Sequence, residues 1–525
     1  AESPQKEGLI YIGTDDGLVQ MTEDGGKNWK EIEVGTLPGV PATAYVNDIK
    51  ADLFDANTAY IALDNHKYGD YQPYLYKTTN GGKSWRSIKG NIPDRTLVWR
   101  IVQDHVKPEL LFSATEFGIY FSVDGGEVWT KLTGGVPVIS FRDLAIQRRE
   151  NDLVGASFGR SFYVFDDYTV LRGVSEKQMQ EEATLFPVRK TWWYIPRSHL
   201  GFYGQKGDQG ADHFVSPNPP HGAVFTYYLK DDYKTLKDIR LKKEESLNEK
   251  NRDVPFPGWD ALEAERRQEE PKIWISVEDR GGNVVRRVPG IAKKGFHRVA
   301  WDLRYPAPDA IELEASGEEP LFDEPSGGFL APPGTYTATL YKQMDGKVEK
   351  LSETAQFEVV RLRKGALSGA RPADVAKFWR KYEDAARSAS ALNLAFNNAM
   401  TKVKGMKLAL ANSTADAGDL DKRLHDLRME ILELEGKVSG NQSKNEPGEK
   451  TKPTITDRLF SVSRGVGQSS YGPTETNRMS LEIAMDQLTE ARRDLESARE
   501  KMSELAQDLL EAGAPWIEGE PLPRR

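Results

Sequence analysis

Cysteine is absent from this 525-residue chain. Disulfides, thiolate metal sites and a cysteine nucleophile are therefore excluded. No run approaches the roughly 18 apolar residues that a spanning helix needs, so no transmembrane segment is expected. A basic excess is missing too: 71 Lys and Arg face 80 Asp and Glu, a net charge of -9. That balance argues against nucleic acid as a partner. No G-x-x-x-x-G-K-[ST] phosphate loop occurs. The seven His are scattered, none at H-x-x-x-H spacing, and the Asp-Gly runs never reach the terminal Glu of a calcium loop. No metal or cofactor is expected. Gly155-Ala-Ser157-Phe-Gly159 spells a nucleophile elbow, but an elbow leads into a helix and none follows here. No catalytic residue is assigned.

What is present is a repeat. Thr22-Glu-Asp24-Gly-Gly26-Lys-Asn-Trp29 returns as Thr78-Thr-Asn80-Gly-Gly82-Lys-Ser-Trp85 and again as Ser122-Val-Asp124-Gly-Gly126-Glu-Val-Trp129. The shared pattern is S/T-x-D/N-x-G-x-x-W. The Asp or Asn bonds amides of a tight turn, Gly supplies positive φ, and Trp opens the next strand and packs between sheets. Two β-prone segments precede each box and one follows it. Four short strands per unit is the signature of a propeller blade. A degenerate fourth unit runs from Phe141 to Phe165, with Asp166-Asp167-Tyr168 in place of the box. The first unit lacks its inner strand, which predicts an unpaired edge along Leu9–Thr14. The polar stub Ala1–Gly8 reads as the start of a processed or excised chain.

These boxes resemble the bacterial Asp-box (BNR) repeat proteins with a sortilin-type β-propeller, a family labelled "glycosyl hydrolase". Asp64-Asn-His-Lys-Tyr-Gly-Asp70, Gln103-Asp104-His105-Val106, Ala114-Thr-Glu-Phe-Gly118 and Phe158-Gly-Arg160-Ser161 carry the resemblance. It implies a longer propeller with further blades upstream, and a bacterial secreted, periplasmic or cell-surface location. The open edge along Leu9–Thr14 in turn leads to the expectation of a second polypeptide that completes the propeller, most simply an upstream half of the same precursor; closure of a four-bladed ring by a C-terminal strand of this chain is the alternative.

The expected fold is mainly β with α, in three domains. Residues 1–182 form the partial propeller. Residues 183–364 form an immunoglobulin-like β-sandwich with a charged helical excursion at Asp231–Asn251. Residues 365–525 form an antiparallel bundle of three helices. In the bundle, Tyr382, Ala389, Phe396, Val403 and Leu410 step by seven, as do Leu481, Leu488, Leu495, Met502 and Leu509. Such spacing makes a heptad seam. Within the sandwich, Asn218-Pro-Pro220 and Ala331-Pro-Pro-Gly-Thr-Tyr-Thr337 resemble the domain that follows the propeller in the same family. The acidic stretch Glu312–Gly328 reads as a loop without recognisable chemistry.

Turns between the second and third strands of each unit share one face of the propeller. Loops on a rigid scaffold are where function concentrates. The ligand-binding candidates there are Asp15, Asp16, His66, Lys67, Tyr68, Asp70, Glu116, Phe117 and Arg160. The stretch Asn65–Gln72 reads as an enlarged loop. Asp24, Gly26, Trp29, Asn80, Gly82, Trp85, Asp124, Gly126 and Trp129 are structural. The expected function is non-catalytic recognition of a peptide, protein or glycan. The alternative is a glycoside hydrolase with acidic residues on that face. The Phe/Tyr-Arg-Ile-Pro motif of Asp-box sialidases is missing; Phe141-Arg142-Asp143-Leu144 is a weak echo of it.

Overall fold

In the computed structural model, residues 1–196, 216–311, 327–414, 418–520 and 522 are described. The acidic stretch read as a loop lies outside them through residue 326. The chain is mixed β with α and divides into two units. The first comprises Ala1–Phe186 and Thr226–Asp231, the second Pro187–Phe225 and Asp232–Arg525.

Four antiparallel sheets follow one another along the first unit. The first is Ile10–Gly13, Leu18–Thr22 and Lys30–Glu33; the second is Tyr45–Ala51, Ala59–Asn65, Asp70–Thr78 and Arg86–Ser87. The third is Val98–Gln103, Leu111–Thr115, Gly118–Ser122 and Thr130–Lys131; the fourth is Phe141–Gln147, Asp152–Ser157 and Phe162–Phe165. Each strand pairs with its chain neighbour.

Alternation explains how the sheets stack. Along Ala59–Asn65, Ile61 and Leu63 face the first sheet and join a core with Tyr11, Met21 and Trp85. Tyr60 and Ala62 face the other way, into a core with Leu111 and Trp129 of the third sheet. A further core joins Phe112 and Ile119 of the third sheet to Phe141 and Leu153 of the fourth. Both faces of the middle sheets are thus buried.

Two expectations need correction. The inner edge of the first sheet is partly filled: Ser3 N donates to Leu9 O at 2.9 Å and Tyr11 N to Ala1 O at 2.7 Å. Glu2 bridges Ile10. Three residues of the polar stub suffice because backbone groups, not side chains, make these bonds. The enlarged stretch after Tyr60 is not a long loop. Its residues lengthen the hairpin strands to 7 and 9 residues, with Asn65 paired to Asp70. Only His66–Gly69 turns, through a short 3-10 helix that ends on Gly69 at φ 77°.

In the second unit, a sheet runs Thr191–Trp193, Ala355–Arg361, Gly334–Met344, Lys272–Asp279, Val284–Gly290, with Lys347–Lys350 paired to Gly334–Met344. Trp301, Tyr336 and Phe357 meet over it, with ring centroids 5.2–6.4 Å apart. The charged excursion holds a helix, Leu236–Glu249, capped reciprocally by Thr235 and Asp238. A further helix, Trp259–Arg267, follows.

Helices Pro372–Ala411, Leu420–Ser439, Ile455–Gly467 and Glu475–Glu511 share one apolar core. The expected three helices are therefore joined by a fourth. Thr454 and Asp457 cap its start reciprocally, and Ile455, Leu459, Val462 and Val466 are buried. Glycines at 465 and 467 weaken its sequence signal, because Gly is a poor helix former. Across Leu420–Ser439 and Glu475–Glu511, Arg423 pairs with Asp508, Glu430 with Lys501 and Lys437 with Asp494. One number rises by seven as the other falls by seven, so these two helices run antiparallel.

Candidate functional site

The inner strands of the second, third and fourth sheets carry the same irregularity. Each shifts register at one residue: between Val46 and Asp48, between Val98 and Arg100, and between Phe141 and Asp143. The extra residues are Asn47, Trp99 and Arg142. A bulge re-aims the side chain it carries and bends its strand. Three in register aim three side chains at equivalent places on neighbouring sheets.

Trp99 and Arg142 meet there. The Arg142 guanidinium lies 3.6 Å from the Trp99 ring centroid and 5.1 Å from that of Phe158. Glu116, from the turn of the third sheet, anchors both: Trp99 Nε1 donates to its Oε2 at 3.0 Å, and Arg142 Nη2 lies 3.9 Å from the same atom. Ser140 Oγ donates to it at 2.9 Å. The third member of the series, Asn47, donates to Val98 O at 3.1 Å.

Trp99, Glu116 and Arg142 border a cleft of about 860 Å³, walled also by His66, Tyr71, Arg95, Phe117 and Lys131. His66 stands edge-on to Trp99, centroids 6.0 Å apart. Its Nδ1 lies 2.6 Å from Asp64 Oδ2, and Tyr45 Oη donates to that oxygen at 2.7 Å. Asp64 is fully buried. Burial, and after it the Asp64 acceptor, pushes the Tyr45 phenol far above its ordinary value. Arg95 adopts φ 63°, a left-handed conformation unusual outside glycine, and its guanidinium sits 5.7 Å from the Tyr71 ring. The wall is thus aromatic and cationic, and its Glu116 is held by two donors and an ion pair.

Of the rim candidates, His66, Glu116 and Phe117 line this cleft. Lys67 instead lies over the Tyr45 ring at 4.7 Å, and Tyr68 is exposed. Asp70 ties its own hairpin, accepting from Tyr74 Oη at 2.6 Å and Gln72 N at 3.1 Å. Burial works against its charge, yet these bonds win and hold its carboxyl below the usual range. Asp15, Asp16 and Arg160 are exposed turn residues that do not line the cleft, Asp16 accepting from Thr14.

Trp99 and Arg142 escaped sequence reasoning. Their signal was legible all the same. Val46 to Ile49, Val98 to Ile101 and Phe141 to Leu144 each put two polar or aromatic residues where alternation calls for one. The weak echo of a sialidase motif at Phe141–Leu144 is this bulge.

The boxes form turns of one design. Thr22, Thr78 and Ser122 hydroxyls donate to Asp24, Asn80 and Asp124 at 2.6–3.0 Å and accept from Gly26, Gly82 and Gly126 N at 2.8–3.1 Å. Asp24 accepts further from Lys27 N and Asn28 N, Asp124 from Glu127 N and Val128 N. The Asn28 backbone amide and side chain, then Thr22, hold the Asp24 carboxyl down at about 2. Ser157 Oγ donates to Ser161 O within its hairpin, and a strand rather than an elbow's helix follows it.

Among the described residues, no three His, Asp or Glu side chains group as a metal site, and no helix is long and apolar enough to cross a membrane.

No family model matches the chain, and no curated protein does. Solved structures do. It is similar to YCF48 from Cyanidioschyzon merolae, at 16% identity and TM-score 0.24, over 31% of this chain and 51% of that one. It is similar to the Cps50 (Swd1) beta-propeller domain of Myceliophteria thermophila, at 13% identity and TM-score 0.26, over 36% and 62%. It is also similar to the GH74 xyloglucanase from Xanthomonas campestris, at 12% identity and TM-score 0.23, over 67% and 63%. The chain thus spans less than two thirds of each of these structures.

Proposed function

We propose that the first unit is part of an Asp-box β-propeller that recognises a peptide, protein or glycan, without catalysis, at the Trp99–Arg142 cleft. The observation that carries this reading is the trio of bulges in register, which places an aromatic and a guanidinium side by side on a rigid scaffold. Trp99 is buried and backs the half-exposed Arg142, so the cleft offers a ligand a held cation with exposed Tyr71 and Phe117 on the same wall. In the same reading, the sheet of the second unit belongs to an immunoglobulin-like sandwich and the four helices form an antiparallel bundle. The protein acts outside the bacterial cytoplasm: secreted, periplasmic or at the cell surface.

A glycoside hydrolase would need two carboxylates about 5–9.5 Å apart across the sugar. The cleft wall offers Glu116 and Asp94. Glu116 is already engaged by Trp99, Ser140 and Arg142, which favours a structural anchor over an acid or nucleophile.

The test is a combined glycan and peptide array, read with the full chain and with Arg142→Ala and Trp99→Phe. Binding that both variants lose, with their melting temperatures near that of the parent, supports the reading. Turnover of a bound glycan that Glu116→Gln abolishes would establish the hydrolase instead.

A further inference from the structure

The cleft is cationic in a chain that is not. The whole sequence carries a net charge of -9, yet this wall gathers Arg95, Lys131 and Arg142. Its two carboxylates are already engaged. Asp94 pairs with Lys89 at 3.3 Å, and Glu116 accepts from Trp99 Nε1 and Ser140 Oγ. A cleft of one sign concentrates ligands of the other.

Rings, more than anions, hold these three cations. Arg142 lies over Trp99 at 3.6 Å and Phe158 at 5.1 Å, Arg95 over Tyr71 at 5.7 Å and Lys131 over Tyr120 at 5.9 Å. Among the described residues, none of the three makes a hydrogen bond to another residue. The one carboxylate within 4.0 Å of any of them is Glu116, 3.9 Å from Arg142 Nη2. A ring face fixes a guanidinium in place and leaves its in-plane N–H groups unspent. Such a fork matches the two oxygens of a carboxylate. An open aromatic surface stands on the same wall. Phe117 is 46% exposed and, among the described residues, has no ring or cation partner.

We infer that the cleft takes an acidic oligosaccharide, one that carries a uronic-acid carboxylate. The inference rests on the reading of the cleft as a recognition site and names its ligand class. The carboxylate fills the Arg142 fork, Arg95 and Lys131 add charge to the same wall, and the apolar C–H face of the sugar covers Phe117. A uronic acid holds the anion and the apolar face on one rigid ring. An acidic peptide brings them on separate flexible side chains and loses about 0.5–1.5 kcal/mol for each side chain it immobilises.

The test is calorimetric titration of the full chain with oligogalacturonate, oligomannuronate and hyaluronan fragments. Each is paired with its carboxyl-reduced neutral counterpart, and a poly-glutamate peptide is run beside them. At least one acidic oligosaccharide should bind, and its neutral counterpart should bind at least tenfold more weakly. The double variant Arg95→Gln, Lys131→Gln should weaken the acidic ligand at least fivefold at an unchanged melting temperature, and Arg142→Gln at least tenfold. Equal binding of the neutral counterpart, or preference for poly-glutamate, overturns the inference; the recognition site itself stands if Arg142→Ala and Trp99→Phe still abolish that binding. Acidic binding that none of these variants weakens overturns both. No binding of any acidic oligosaccharide overturns the inference alone, and the wider array then decides the recognition site.

Discussion

Arg142 stacks on Trp99 across two sheets, guanidinium to ring centroid 3.6 Å, although 43 residues separate them in the chain. Both owe their position to bulges, and Glu116 bonds one and pairs with the other. A cation over an indole contributes about 0.5–2 kcal/mol, more as water is excluded. Arg142→Ala should therefore lower unfolding free energy by about 0.5–1 kcal/mol, since Arg142 keeps some contact with solvent. Arg142→Lys should recover only part of that, because an ammonium does not stack. Denaturant titration followed by tryptophan fluorescence checks both. Equal stability of all three proteins would show that the pair is incidental.

The boxes yield a prediction about acid. Asp24 titrates near 2, below its usual value. Asp124 is also held low: burial opposes its charge, but bonds from Ser122, Val128 and Glu127 outweigh it. A depressed folded value means stability that is present above the unfolded value, about pH 4, and lost as pH falls through the folded one. Asn80 builds the same turn without a charge. The double variant Asp24→Asn, Asp124→Asn should therefore keep its fold at pH 7 and lose less stability than the parent between about pH 4 and pH 2. Urea midpoints across that range decide it; parallel slopes would contradict the assignment. Asp124→Ala removes the acceptor itself and should cost about 0.5–2 kcal/mol, as lost caps do.

How far the sequence disclosed this architecture differs from element to element. The boxes were readable because a tight turn with an internal acceptor fixes residue identity at each position. The heptad seams were readable because burial repeats with the helix: Leu481, Leu488, Leu495, Met502 and Leu509 are all buried. The Asn65–Gln72 insertion was misjudged because strand pairing depends on a partner, and Asp70 looks the same in a loop as in a strand. The cleft was half legible. Glu116 and His66 follow from turn position, but Trp99 and Arg142 come together only when sheets stack, a relationship between residues far apart in sequence.

Asp104 of the first unit is fully buried within a polar network. It accepts from Val106 N, Lys107 N and Tyr168 Oη, and from Arg172 Nε at 2.9 Å and Nη2 at 2.7 Å. Burial alone would raise its carboxyl; Arg172 and Tyr168 outweigh it and hold it below the usual range. Arg172→Ala strands a buried charge, which typically costs about 3–5 kcal/mol. Asp52 holds the matching place one sheet earlier and is served by Gln103 and Tyr60, with no cation. Gln103→Ala removes neutral bonds to Asp52 and Pro108 O and the acceptor of Leu53 N, and leaves Tyr60 on Asp52, so it should cost only about 1–3 kcal/mol. Thermal and chemical unfolding rank the two variants. A milder Arg172→Ala would mean that Asp104 is protonated or hydrated in the fold.

The ion pairs Arg423–Asp508, Glu430–Lys501 and Lys437–Asp494 are 2.7, 2.8 and 3.4 Å long. They flank the seam between two antiparallel helices at heptad spacing, the place where charges set register rather than strength. Exposed pairs of this kind are worth about 0.2–1 kcal/mol each. Arg423→Glu alone brings a like charge against Asp508 and should destabilise; Asp508→Arg alone should do the same against Arg423. Combined, they restore the pair with its sign reversed, so the double variant should be more stable than the sum of the singles implies by about 0.5–2 kcal/mol. The coupling should shrink between about 0.05 M and 1 M salt as the Debye length falls toward about 3 Å. Chemical denaturation of the four proteins at both salt concentrations measures it. A coupling of zero at low salt would mean that the buried apolar seam alone, with Leu424, Ile431 and Val438 on one helix and Leu495, Met502 and Leu509 on the other, sets the register of these helices.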